Sequence, residues 1–134
     1  MTRRLWKPGP EADHTGPVHL SMNDYWIHRR RDVPRVARVG LRLRRGWPTT
    51  GGAVGLWMAT FNGGRRQVSV SIWQDAEDLR RFVTSPEHQH VMRTFRDTGA
   101  LITTAWPMSK FDRDSSWRHA HDRLMGRVEG VRHH

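Results

Sequence analysis

The residues of this 134-residue sequence best suited to act on a small molecule are Asn23, Tyr25, Trp73 and His88. Asn23 lies inside the alternating run from Val18 to His28, although asparagine is depleted in strand interiors. Tyr25 follows on the same side, and Trp73 closes a second alternating run, Gln67 to Trp73. His88, Val91, Met92 and Phe95 fall at i, i+3, i+4 and i+7, so an imidazole shares an apolar helix face. Because side chains alternate across a strand, the two runs together place His19, Ser21, Asn23, Tyr25, Ser69, Ser71 and Trp73 on one face. That set supplies hydrogen-bond donors and acceptors, and the histidine adds a group that exchanges a proton near neutral pH. Phe82 and Met92, on the inward sides of two helical pieces, add apolar lining. Plain structural roles exist for the same residues: a core histidine bonded to backbone, or a tryptophan packed at the end of a sheet.

The elements that must position them follow from periodicity and breakers. Val18, Leu20, Met22 and Trp26 form the apolar side of a first strand, interrupted by Asp24. Asp32 caps a helix with Pro34 in its first turn; it runs to Gly46 and Pro48 and carries Arg35, Arg38, Arg42 and Arg45 on its outer face. Ala53 to Phe61 is a second strand, joined through the hairpin signal Asn62-Gly63-Gly64 to the third, Gln67 to Trp73. Asp75 caps a helix with Leu79, Phe82 and Val83 inward, and Ser85-Pro86 restarts it. Gly99 stops that piece, and Leu101 to Met108 is a fourth strand. The order β-α-β-β-α-β is the ferredoxin-like α+β arrangement: an antiparallel sheet with both helices on one face. Residues 1–16 read as an N-terminal arm, pinned by Trp6, and residues 17–110 as the domain. Residues 111–134 read as a polar tail with a helix anchored by Trp117 and Leu124, ending in His133 and His134, which read as purification-tag remnants. The face without helices needs a cover, and packing two sheets face to face into a homodimeric α/β barrel would provide one.

Composition removes several classes. With no cysteine there is no disulfide framework, thiolate nucleophile or cysteine metal site. Hydrophobic residues make up 36%, which leaves part of the core to a partner chain. No run of about 18 apolar residues occurs and the start MTRRLWKPGP has no signal-peptide core, so the cytoplasm is expected and no membrane partner is. The net charge of +10 raises nucleic acid. Yet Lys7 and Lys110 are the only lysines among 23 basic residues, and the arginines are scattered, a bias that a GC-rich genome produces at solvated positions; nucleic acid is not expected. The inward residues contain no metal set, and no phosphate-cradling loop precedes a helix.

The run Trp73, Asp78-Leu79-x-x-Phe82, Ser85-Pro86-x-His88 resembles the antibiotic biosynthesis monooxygenase-like family of dimeric α/β barrels, over about residues 18–108. The resemblance implies an enzyme of secondary metabolism, first of all a cofactor-independent monooxygenase acting on an aromatic or polyketide-like substrate. In such relatives a phenol is deprotonated in a dry pocket and its anion reacts directly with dioxygen. Asn23 corresponds to their first-strand Asn and Trp73 to their third-strand Trp, with His88 or Tyr25 as base. His19, Ser21, Ser69, Ser71, Phe82 and Met92 would contact the substrate. Haem is disfavoured as cofactor, because the resemblance implies that the haem-degrading members place their axial histidine seven residues after the restart serine, where this chain has Met92, and a tryptophan where it has Phe82. A cyclase or isomerase would use nearly the same cavity. The alternative from another class is a non-catalytic haem- or metabolite-binding protein.

Overall fold

The computed structural model describes residues 3–132. Its elements are Arg3–Pro8 (β1), Val18–Ile27 (β2), Val33–Gly46 (α1), Ala53–Phe61 (β3), Arg66–Trp73 (β4), Ala76–Val83 (α2), Pro86–Phe95 (α3), Gly99–Met108 (β5) and Arg113–Arg132 (α4). The five strands form one antiparallel sheet in the order β1-β3-β4-β2-β5. Without β1, this is the expected ferredoxin-like split βαβ arrangement. The predicted caps are in place: Asp75 accepts from the Asp78 amide at 2.9 Å and Ser85 from the His88 amide at 3.3 Å. Asp32 stands at the N-terminus of α1 without a side-chain capping bond. The β3–β4 connection turns through Asn62, Gly63 and Gly64, all with positive φ, which explains two glycines there.

Residues 3–8, expected within an irregular arm, instead pair with β3 as an edge strand. The sequence RRLWKP is too short to announce itself, and its partner lies some fifty residues away. Trp6 does pin it: its ring lies 4.8 Å from that of Trp57, and Gly55 makes room for it, since a Cβ there would collide with the indole.

The sheet has two unlike faces. On one, Leu20, Met22, Val68, Val70 and Ile72 are buried with Trp57 and Trp106 beneath Trp117, Ala120 and Leu124 of α4. The anchors Trp117 and Leu124 are those expected of the tail, but they close the face that had been left for a second copy. That face is thus filled by the chain's own helix; His133 and His134 lie outside the described residues. On the other face Trp47, Ala53, Leu56 and Trp73 form a smaller core with Leu43, Leu79 and Phe82 from the α1–α2 layer.

Asp24, which breaks the apolar side of β2, is 1% exposed and holds the guanidinium of Arg66, 3% exposed, through two bonds of 2.9 and 2.8 Å. The guanidinium also lies over the Trp26 ring at 4.4 Å. A bidentate geometry with both charges desolvated is strongly intolerant of losing one member. Arg66→Met should therefore cost about 3–5 kcal/mol in urea unfolding, whereas Asp24→Leu combined with Arg66→Met should regain most of it. Equal losses in the single and double variants would refute this account.

Candidate active site

Between the helix-side face of the sheet and α2–α3 lies a cavity of about 90 Å³. Its sheet wall is Ser21 and Asn23 of β2, Ser71 of β4, and Leu101 and Thr103 of β5; its helix wall is Leu79, Phe82 and Val83 of α2 and His88 and Met92 of α3. Six of the ten expected site residues therefore meet here: Ser21, Asn23, Ser71, Phe82, His88 and Met92. Met92 is 40% exposed and Thr103 is exposed, and they mark the side on which the cavity opens.

The other four do not line it. Trp73 is fully buried behind the cavity, its indole N–H donating to Ser71 Oγ at 2.9 Å, while Ser71 donates to the Ser21 carbonyl at 3.3 Å. Trp73 thus orients the Ser71 hydroxyl and contacts no ligand space. Tyr25, expected as base or proton shuttle, donates to the Phe95 carbonyl at 2.8 Å and also bonds the Thr98 hydroxyl, so it ties down the end of α3. His19 and Ser69 sit on the correct face but outside the lining; His19 is paired with Trp73 and Pro107, and Ser69 with Asn23 and Met58. Alternation assigns a face, and only the helices above it decide which stretch is left open. Leu79 and Val83, expected as inward helix residues but not as site residues, complete the lining with Leu101 and Thr103; Thr103 carries a legible signal, because a fourth strand placed beside the first sets a hydroxyl next to Asn23.

The polar groups are few and specifically held. Thr103 donates to Asn23 Oδ1 at 2.9 Å, which leaves the Asn23 Nδ2 group to donate elsewhere. His88 is half-buried, and neither ring nitrogen has a hydrogen-bond partner among the described residues. Its ring rests on Phe82 at 5.0 Å, Phe82 on Trp73 at 5.2 Å, and Trp73 edge-on to Trp47 at 5.1 Å. Burial disfavours the charged imidazolium and lowers the His88 pKa from the ordinary 6.5, so the ring is neutral at neutral pH and able to accept a proton. Among the described residues, no three His, Cys, Asp or Glu side chains come together as a metal site.

No protein-family model and no curated protein sequence matches the chain. Solved structures do. SnoaB of Streptomyces nogalater, described as a cofactor-independent oxygenase, is similar at TM-score 0.56 and 15% identity over 68% of this chain and 91% of its own. A ferredoxin-fold protein related to antibiotic biosynthesis monooxygenases, from Listeria monocytogenes, is similar at TM-score 0.55 and 11% identity over 69% of this chain and 57% of its own. The chain has their ferredoxin-like fold. LmHde, a haem-degrading enzyme of Listeria monocytogenes, shares that fold at TM-score 0.57 and 13% identity, over 75% of this chain and 65% of its own.

For haem, raised by that last neighbour, the cavity offers a poor donor set. The lining holds one histidine, His88, its ring tilted against Phe82, and Met92 rather than a second histidine stands at the mouth.

The linkage is directional. Since the unfolded chain binds a proton at His88 more readily than the fold does, this residue's contribution favours the fold fully above pH 6.5 and is lost as pH falls toward its lowered value. A proton NMR titration, with the resonance assigned by its absence in His88→Gln, should give a midpoint below 6.5. A midpoint at or above that value would show a hydrated or ion-paired ring.

Proposed function

We propose that the chain is a cofactor-independent oxygenase of the antibiotic biosynthesis monooxygenase type, with a phenolic or polyketide-like aromatic substrate held between the sheet and α2–α3. The observation that carries this reading is a neutral, unpartnered imidazole and an asparagine with its Nδ2 group uncommitted, both lining one largely apolar cavity. His88 takes a proton from the substrate, and Asn23 Nδ2 with the Ser21 hydroxyl stabilises the resulting anion. The anion reacts with dioxygen; a ring CH₂ becomes a carbonyl, and the second oxygen atom leaves as water. Phe82, braced by Trp73 and Trp47, keeps the His88 ring in place and the pocket dry.

Size adds a condition. At about 90 Å³ the cavity is smaller even than the roughly 150 Å³ space that accommodates benzene, so a polyketide-like ring system enters only if a wall moves. In this proposal the wall is α3, which has no fully buried residue and presents an exposed Met92 at the mouth. A homodimer built on the opposite side of the sheet would have α4 in its interface, and the cytoplasm is the compartment proposed. Among the described residues, no helix is long and apolar enough to cross a membrane.

Oxygen uptake measured with a panel of anthrone- and naphthol-type phenols should reveal turnover, with one carbonyl product formed per O₂. His88→Ala and Asn23→Ala should each lower kcat/KM by roughly 10²-fold at unchanged thermal stability. Wild-type rates in both variants would overturn the site, and equal product formation without oxygen would replace the oxygenase by a cyclase.

A further inference from the structure

α3 has a second side. Facing away from the cavity, it forms with α1 a groove of about 210 Å³ whose rim is Arg35, Arg38 and Arg42 of α1 and His90 and Thr94 of α3. The floor, from Val39, Val91 and Phe95, is apolar. No acidic side chain lines it. Arg38 and Arg42 have no ion pair, hydrogen bond or ring contact among the described residues. Arg35 is partly engaged, 3.4 Å from Asp32 and 5.4 Å from the centre of the Phe95 ring. The Thr94 hydroxyl donates to the His90 carbonyl at 2.8 Å, so its oxygen remains an acceptor and adds no donor.

We propose that this groove is a binding site for a phosphate monoester with an apolar body. Three guanidinium groups at positions i, i+3 and i+7 stand on one helix face, where like charges at this spacing repel one another. A bound dianion removes that repulsion, and guanidinium groups match a phosphate with paired N–H donors in the way a lysine does not. The apolar floor decides the rest of the ligand. An extended polyanion would meet the arginine rim and leave Val39, Val91 and Phe95 unused, whereas an alkyl or aryl group attached to one phosphate covers them. This inference rests on the groove alone and is independent of the oxygenase reading.

Titration calorimetry of the full chain tests it, with phenyl phosphate, inorganic phosphate, phenol and a short DNA duplex as probes. Phenyl phosphate should bind about tenfold or more tightly than inorganic phosphate, reflecting burial of the ring, and phenol alone should not bind the groove. Arg38→Gln and Arg42→Gln, both at exposed positions, should each weaken phenyl phosphate about tenfold without lowering the melting temperature or moving the His88 NMR signals. Equal affinity for the two phosphates would reduce the groove to a generic anion patch and overturn the proposal. Tighter, salt-sensitive binding of the duplex, lost in the same variants, would overturn it in favour of a nucleic-acid surface.

Discussion

The side-by-side register of β2 and β4 is the constraint on which both the core and the candidate site depend. Along each strand successive side chains turn to opposite faces, so a slip of one residue would carry Leu20, Met22, Val68 and Val70 into the cavity and drive Asn23 and Ser71 under α4. The buried Asp24–Arg66 pair pins that register from one end of the strands, because its two bonds form only when Arg66 lies diagonally across from Asp24. A charged pair in this place interrupts an otherwise apolar face. Its worth lies in specifying one alignment rather than in adding net stability.

From that alignment the two faces follow separate rules. Under α4 the packing is dry and aromatic, with Trp57 donating its indole hydrogen to Ser116 at 3.1 Å inside the core. Toward α1–α3 the sheet offers hydroxyls and an amide, and neither α1 nor α3 contributes a fully buried residue. An interior that mixes polar groups with a thin helical cover is where a cavity survives and where a wall can move at little cost in buried surface. His88 and Met92 turn to one side of α3, His90 and Val91 to the other, so one helix is the partition between two hollows.

How much of this was legible can be argued residue by residue. Strand alternation, the caps Asp75 and Ser85 and the Asn62–Gly64 turn are local signals, and they placed β2 to β5 and α1 to α3 in the order observed. The inward position of His88 followed from helical spacing, and Asn23 was visible as a polar residue in a strand. What escaped is depth and contact between distant segments. Trp73 shares a face with Asn23, yet Trp47 and Phe82 cover it; Tyr25 shares that face too, yet it spans to the end of α3. β1 exists because β3 is there to receive it, and α4 lies on the sheet because Trp117, Ala120 and Leu124 find an apolar face that no local pattern announces as vacant.

The tryptophans are themselves sorted by this architecture. On the α4 side Trp57 contacts both Trp6 and Trp117, with ring centres 4.8 and 5.6 Å apart, whereas Trp47 and Trp73 touch on the cavity side at 5.1 Å. The sheet stands between the two groups. Each is a cluster of coupled indole chromophores, so its circular dichroism and emission depend on the helices of its own face. The molecule thus carries one optical reporter for the release of α4 and another for the loosening of the helices over the cavity, with no label added.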